Sequence, residues 1–490
     1  MAATISDKLK RDILQNIFNQ YQNIGVTVGD SDRFYMGIGR TEEWDSDAVP
    51  PIPNPSRDEE LKFQETLQSI KLISDATFVV PRYNWTAGNV YEAWDNDYNS
   101  NTTIGAVGII QNSYYVITDD NNVFVCVQQG KSDNGVDRNS LYKPTDVSGT
   151  VFAAGDDGYL WRYLYTIGAA EARKFMTSAY MPVEKILDSS QGGPATGALT
   201  SARLAQVAQQ QAAKPGEILG LAVDSSGTGY TSAPTITITG VPVVGATALT
   251  TVATATARVD TNGRLFAAEM TSFGEGYKVA NVTITGGGGS GAVLRPIISG
   301  DSGMGGNPIV NLNSSAIMFH TTLTGTENTD FNVANDFRQI GIIKNPLKDS
   351  ADFGSFSGDS AVSASTAEVY KSLQLSAVSG VANIDGDQTI VQTSTNASAV
   401  VDYFDAINSI AYVHQSRSTG FTAFDSTNGV TFLEGSGSVA TASIVANSTG
   451  PNLRPAEAKN FSGEVIYIDN RSPITRDNEQ TEDIKVVIDL

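Results

Sequence analysis

FSGEVIYIDNRSPITRDNEQTEDIKVVIDL, residues 461–490, carries the clearest fold signal in the chain. Residues 464–468 alternate polar and apolar side chains, and residues 484–488 are again rich in apolar ones, which is typical of two strands. Asp469 and Pro473 lie between these runs and favour a turn. The last residues are therefore predicted to form two strands of a sheet. No catalytic group is recognised in this stretch.

The composition favours short strands joined by many turns. Charged residues make up 17% of this 490-residue, 51.9 kDa chain, against about 25% in average globular proteins, and 46 residues are glycine. A chain of this length can bury sizeable cores without disulfides or metals. We therefore predict a mainly β fold.

Charge, cysteine content and hydropathy limit the classes of partner. The formal net charge of -21 repels phosphate backbones, so direct nucleic-acid binding is not expected. The single cysteine, Cys126, lies in an apolar run and is predicted to be a buried side chain that forms no intrachain disulfide. The N-terminus lacks an apolar signal segment, and no stretch approaches the roughly 18 apolar residues of a membrane span. We expect a soluble protein without membrane insertion.

Residues 1–190 are predicted to form the N-terminal part of a core, with two helices and a sheet. Apolar residues recur at helical spacing over residues 5–21 and again over residues 57–73. Further along, the apolar runs 114–118 and 123–128 flank a polar turn and predict a hairpin.

The segment 191–304 is predicted to be an inserted module built from an internal repeat. A Gly-x-Gly-Tyr motif ends at Tyr230 and again at Tyr277. The sequence TITG likewise occurs at residues 237–240 and 283–286. Near-equal spacing of strand, Gly-Tyr turn and strand predicts two similar β units packed on each other.

The rest of the chain divides by composition. The low-complexity residues 206–213 predict a hinge at the start of the inserted module. Core strands are expected at 305–350 and 459–490. Between them, residues 351–458 are rich in Ser, Thr, Ala and Gly with short apolar runs, and they predict a second inserted β module, a small barrel or sandwich.

The sequence offers little for metal-dependent or histidine-dependent chemistry. His320 and His414 are the only histidines, lack metal-spaced neighbours, and are expected to bond backbone groups within strands. The spacing of Asp95 and Asp97 copies the start of a calcium loop. Ser100 and Ala106, however, stand where such a loop needs glycine and a bidentate glutamate, so a polar surface loop is favoured.

Two other segments have a possible chemical interpretation and a simpler structural one. The glycine-rich residues 286–291 lack the lysine and Ser/Thr of a phosphate-binding loop and are interpreted as a turn in the repeat. The acidic cluster Glu42, Glu43, Asp45 and Asp47 could supply a general acid and base, but a solvated loop is favoured. We assign no catalytic residue, no metal ligand and no cofactor.

Aromatic residues and arginines at strand edges and in loops are better candidates, because Trp, Tyr and Arg dominate interface hot spots. Trp161 lies within a predicted strand, and core packing is expected for it. The interface candidates are Arg40, Trp44, Arg82, Trp85, Arg338, Asn345 and Arg471.

Several of these residues belong to segments whose order along the chain resembles a known family. The segments are GRTE at 39–42 with Trp44, the proline-rich 50–53, VPR at 80–82 with Trp85, DGYLW at 157–161 with Tyr163, residues 337–347, and the C-terminal block. In this order they resemble the baseplate wedge subunit encoded by gene eight of T-even-like contractile-tailed phages. The resemblance covers roughly residues 10–185, 305–350 and 460–490.

The resemblance implies a structural role. It implies a layered β-sandwich core with helical excursions, and a homodimer inside each wedge of a six-fold baseplate. That dimer bridges neighbouring wedge proteins and moves as a rigid body when the baseplate rearranges. The expected location is the virion's tail baseplate, after assembly in the host cytoplasm. The two inserted modules depart from the family pattern and are expected to project outward as decorations or extra contacts.

Two other classes of function stay open at this point. A receptor- or carbohydrate-binding tail fibre protein would suit the β repeats and predicts trimers and glycan binding. A glycosidase would need a carboxylate pair such as Glu42 and Asp45.

Overall fold

The computed structural model describes residues 5–22, 32–98, 113–186, 200–243, 248–249, 251–327, 329–333, 335–349, 360–425, 428–445 and 453–490. Its fold is mainly β, with several sheets and a small closed barrel, as predicted. The helices are α1 Asp7–Gln22, α2 Arg57–Glu65, α3 Ala169–Phe175, α4 Ser201–Ala212 and α5 Pro308–Asn311.

Strands account for most of the regular structure. They are β1 Phe34–Gly39, β2 Leu67–Leu72, β3 Asp75–Pro81, β4 Tyr115–Ile117, β5 Asn122–Gln128, β6 Val151–Ala153, β7 Leu160–Thr166, β8 Tyr180–Val183, β9 Ile218–Thr228, β10 Thr235–Pro242, β11 Thr254–Val259, β12 Leu265–Ser272, β13 Tyr277–Thr285, β14 Ser290–Ile298, β15 Ala316–Thr324, β16 Phe337–Lys344, β17 Thr366–Glu368, β18 Lys371–Ser379, β19 Thr389–Gln392, β20 Ala397–Asp405, β21 Ile410–His414, β22 Gly429–Glu434, β23 Gly437–Ile444, β24 Glu464–Ile474 and β25 Thr481–Asp489. One four-stranded sheet has the order β25-β15-β3-β8.

The chain divides into two compact units. Unit 1 comprises Met1–Asn16, Thr77–Met318 and Val487–Leu490, and unit 2 comprises Ile17–Ala76 and Phe319–Val486.

Unit 1 contains a four-stranded sheet of order β4-β5-β7-β6, whose β4-β5 pair is the predicted hairpin. The core on this sheet is aromatic. Trp161 and Tyr163 of β7 pack with Phe124 and Cys126 of β5, and all four are fully buried. The packing roles predicted for Trp161 and Cys126 are therefore confirmed.

The predicted repeat is also found in unit 1, and its two copies are related by a local two-fold axis. The first copy supplies β9, β10 and β11, and the second supplies β12, β13 and β14. β10 pairs with its counterpart β13, while β9 pairs with β14 and β12 with β11. Tyr230 and Tyr277 occupy the same place in each copy, and both are buried in one shared core. Of the glycine-rich residues 286–291, the first four form the turn between β13 and β14, and the last two begin β14.

Unit 2 contains a five-stranded sheet of order β17-β2-β1-β16-β24 and a closed barrel of order β18-β21-β20-β19-β22-β23. The barrel lies within the segment predicted as the second inserted module. Its core consists of small and branched residues with Phe424 and Phe432.

Three local predictions were wrong. The helix predicted over residues 57–73 ends at Glu65, and β2 follows it. The predicted hinge at 206–213 is instead the second half of α4, up to Ala212, and its C-cap. The turn predicted near Asp469 and Pro473 lies later, because β24 continues to Ile474 along β16 through two register shifts.

Candidate interaction surface

A loop that follows β1 in unit 2 brings several of the interface candidates together. We call residues 40–55 the proline loop. The chain enters it at Arg40, whose backbone takes the left-handed conformation with φ of 59°. α2 begins directly after the loop, and the Ser56 hydroxyl caps it by accepting a hydrogen bond from the Glu59 amide (3.3 Å).

Arg338 of β16 anchors the first half of the proline loop. Its Nε–H is shared between both oxygens of the Asp47 carboxylate (3.1 Å each), and Nη2 donates a further hydrogen bond to Oδ2 (2.9 Å). Nη1 donates to the carbonyl of Thr41. Arg338 is only 6% exposed, and these bonds lower the pKa of the Asp47 carboxyl. Bidentate charge-assisted bonds of this kind fix geometry strongly.

Two contacts with β24 anchor the rest of the loop. The Trp44 indole Nε1 donates to the carbonyl oxygen of Arg471 (3.0 Å), and the Arg40 guanidinium lies 3.9 Å from the centre of the Trp44 ring. The Asn470 side-chain amide donates to the carbonyl oxygen of Pro51 (2.9 Å). The backbone of the loop is therefore held before its apolar tip and, at Pro51, within it.

The tip itself displays apolar side chains to solvent. Val49 is 75% exposed and Ile52 is 92% exposed, and prolines stand at positions 50, 51, 53 and 55. Proline restricts the backbone before binding, and the hydrogen bonds that hold the loop restrict it further. Binding to a partner would therefore cost little additional conformational entropy. Such a preformed apolar tip is suited to insertion into a pocket of another protein.

The surroundings of the tip are acidic. Glu43 and Asp45 are exposed close to it along the chain, whereas the carboxylate of Asp58 is paired with Lys62 and Arg417. A complementary partner would therefore present an apolar pocket with basic residues at its rim.

The other interface candidates lie elsewhere. Arg82 and Trp85 are in unit 1, where the Arg82 guanidinium donates to the Thr177 carbonyl (3.0 Å) and Trp85 Nε1 to the Ser140 hydroxyl (3.2 Å). Asn345 follows β16 in unit 2, and its side chain bonds the backbone amide of Arg33 (2.8 Å) and the carboxylate of Asp32 (2.6 Å).

Sequence reasoning missed Val49 and Ile52 as the exposed apolar residues of the proline loop. The signal was available, because an apolar residue inside a run of prolines cannot join a helix or a central strand and so tends to be displayed. Nothing local in the sequence indicated that Asp47 is the partner of Arg338.

His414 contradicts the expectation of a backbone partner. Its Nδ1 lies 2.8 and 2.9 Å from the two carboxylate oxygens of Asp402, and both side chains are buried. Nε2 faces Glu42 Oε1 of the proline loop at 3.9 Å. Burial alone would lower the pKa of His414, but the charges of Asp402 and Glu42 raise it to about 8.

This raised pKa predicts a loss of stability in mild alkali. A folded-state pKa above the ordinary value of about 6.5 gives a contribution that is complete below pH 6.5 and is lost as the pH rises through 8. The expected loss is about 2 kcal/mol in the free energy of unfolding. We would measure that free energy for the wild type and for His414→Gln between pH 6 and 9.5. The difference between the two should shrink across this range, and a constant difference would refute the assignment.

The calcium-like loop and the acidic cluster were the remaining candidates for a chemical site. Both oxygens of the Asp95 carboxylate accept hydrogen bonds from Arg295 (2.8 and 3.0 Å), whereas Ser100 and Ala106 of the calcium-like spacing lie outside the described residues. Glu42 forms a 3.8 Å ion pair with Arg40. Within the described ranges, no group of three or more His, Cys, Asp and Glu side chains is arranged to hold a metal ion.

None of the helices in the described part of the chain is both long and apolar enough to cross a membrane. No protein-family model matches this chain, and no curated protein matches it in sequence.

Proposed function

We propose that this chain is a non-enzymatic structural subunit of a contractile phage tail baseplate. In this role it forms a homodimer in each wedge and binds neighbouring wedge proteins, with the proline loop of unit 2 as one contact. Its location would be the baseplate of the virion, after assembly in the host cytoplasm.

One observation carries the proposal. Segments of the family resemblance from three distant parts of the chain meet here: the proline loop with residues 39–44 and 50–53, the strand that holds Arg338, and the C-terminal strand β24. The proposal explains why these segments occur together, because they build and hold one rigid, apolar tip. An enzyme would instead need converging reactive groups, and function has to be argued from such a site.

The first test is the composition of the particle. We expect mass spectrometry of purified virions to detect the chain, and a low-resolution map to place two copies in each baseplate wedge. Its absence from purified virions would refute the proposal.

The second test is the mass of the purified chain in solution. Light scattering after size-exclusion chromatography should give twice the 51.9 kDa chain mass. A trimer would instead favour the fibre alternative, and binding to a glycan array would add weight to it.

A further inference from the structure

The outer face of the repeat in unit 1 is rich in threonine side chains. On β10, β11 and β13, alternate side chains point away from the shared core, because Ile238, Ala257 and Ala280 of the same strands point into it. The outward, exposed residues are Thr235, Thr237, Thr239, Val241, Thr254, Thr256, Val279, Asn281, Thr283 and Thr285. We call these residues the threonine face.

Strand pairing arranges the threonine face in cross-strand rows. Thr235 stands opposite Thr285 on one side and opposite Thr256 on the other. Thr237 stands opposite Thr283, and the exposed Val241 opposite the exposed Val279. The face is therefore a regular array of hydroxyl and methyl groups.

Few carboxylates lie on this face, which is unusual for such an acidic chain. Glu269 of the neighbouring strand β12 stands opposite Thr256, and it pairs with Arg258 of β11 (2.9 Å). β10, β11 and β13 contain no Asp or Glu, whereas the whole chain has 53 acidic residues and a net charge of -21. Two copies of a chain with this charge repel each other, and the repulsion is weakest where carboxylates are missing. Depletion of charge is also the compositional mark of an interface core.

Symmetry and chemistry both favour an identical partner. Thr237 and Thr283 come from the two copies of the repeated TITG sequence and pair with each other, so the local two-fold axis passes between them. The pattern of side chains is consequently nearly the same after half a turn. A threonine hydroxyl both donates and accepts hydrogen bonds, so such a face can satisfy a copy of itself, as an isologous contact requires.

We propose that the threonine face binds the threonine face of a second copy of this chain. This contact goes beyond the proposed baseplate role, and it is separate from the homodimer proposed there. Three strands of about eight residues cover roughly 400 Å² on each copy at normal strand spacings. The total is below the roughly 1,200 Å² of a standard stable interface, so the contact is weak between free chains. It would act between copies that a larger assembly already holds close together.

Sedimentation equilibrium from low to several hundred micromolar chain tests the contact. We expect the average mass to rise with concentration toward twice that of the starting species, whether this species is a monomer or the proposed dimer. The variant Thr237→Glu/Thr283→Glu places carboxylates at the centre of the face and should abolish the rise. Thr441→Glu, at an exposed position of β23, is the matched control and should keep it.

A cross-linking experiment does not depend on the charge variant folding well. The only native cysteine, Cys126, is buried, so a short bis-maleimide should link the single-cysteine replacements Thr237→Cys or Thr283→Cys between copies and leave Thr441→Cys largely unlinked. A concentration-independent mass, an unchanged rise in the charge variant, or equal linking at position 441 would overturn the proposal. Each of these results would leave the starting species, and with it the proposed homodimer, unaffected.

Discussion

Replacing Arg162 with methionine is expected to destabilise unit 1 by about 3–5 kcal/mol, the usual cost of breaking a buried ion pair by removing one partner. Arg162 of β7 and Glu217, which directly precedes β9, are 5% and 6% exposed. Their Nη1 and Oε2 atoms lie 2.7 Å apart. Burial already raises the pKa of Glu217, and the Arg162 charge is the main influence that opposes that rise. Without Arg162, the carboxylate would stay buried without its paired cation or would take up a proton.

Hydrogen exchange in increasing urea is the suitable measurement for Arg162→Met. A chain of two units need not unfold in one step, whereas the exchange of β7 and β9 amides reports the opening of this region alone. The matched control is Arg258→Met in the same unit. Arg258 pairs with Asp133 (2.6 Å) and with Glu269 (2.9 Å), but these carboxylates are 87% and 44% exposed, so the expected loss is only about 1 kcal/mol.

A double variant separates loss of the charge pair from loss of packing. Arg162→Met/Glu217→Leu leaves no charge in the buried site, and it should recover much of the stability lost in Arg162→Met. If Arg162→Met destabilises unit 1 no more than Arg258→Met does, the buried ion pair does not contribute the stability expected of it.

The hairpin strands and the internal repeat were predictable from the sequence. Each hairpin strand and each copy of the repeat is encoded by residues that are neighbours along the chain. The hairpin β4-β5 has apolar runs on either side of a polar turn, and the repeat has matched glycines before Tyr230 and Tyr277. The backbone explains the glycines, since Gly227 and Gly274 take φ of 58° and 59°, and Gly229 and Gly276 take 79° and 84°. These left-handed conformations suit glycine far better than other residues.

The wrong predictions arose where long-range contacts decide the local structure. Residues 67–72 have apolar spacing that also fits a helix, but β2 lies between β1 and β17 in its sheet, and strand pairing overrides the local preference. Residues 206–213 were interpreted as a hinge because of their glutamines. In α4 those glutamines are useful: the Gln206 side chain donates to the carbonyl of Glu184 (2.8 Å) and the Gln210 side chain to that of Ile186 (2.7 Å). Alanine and glutamine are also good helix formers.

The candidate surface was only partly predictable for the same reason. Trp44 and Arg40 stand out in the sequence because aromatic and arginine residues beside polar loops are typical of interfaces. The role of Arg338 depends on Asp47, which is 291 positions away, and that of Arg471 depends on its backbone carbonyl rather than on its charge. The barrel pair of His414 and Asp402 is close in sequence, but only the register of β20 and β21 brings the two side chains to the same face.

Replacing Ile52 with aspartate is expected to reduce incorporation of the chain into particles at least about tenfold. Burying an isoleucine side chain contributes about 1.5–3 kcal/mol, and each 1.4 kcal/mol is a factor of ten in binding. The substitution also places a new carboxylate at the centre of the proposed contact, near the exposed Glu43 and Asp45. Because Ile52 is 92% exposed, the free chain should lose almost no stability.

Ile407 provides a closely matched control for this substitution. It is 94% exposed at the turn between β20 and β21, so Ile407→Asp makes the same chemical change at the same exposure but away from the proline loop. Each variant would be supplied in a host infected with a phage that lacks the gene, and its amount in purified particles would be measured by mass spectrometry. We expect Ile407→Asp to be incorporated like the wild type and Ile52→Asp to remain in the unassembled fraction as a folded protein. If Ile52→Asp entered particles as efficiently as Ile407→Asp, the proline loop would not be a wedge contact, because a buried apolar tip cannot accept an unpaired carboxylate without loss of affinity.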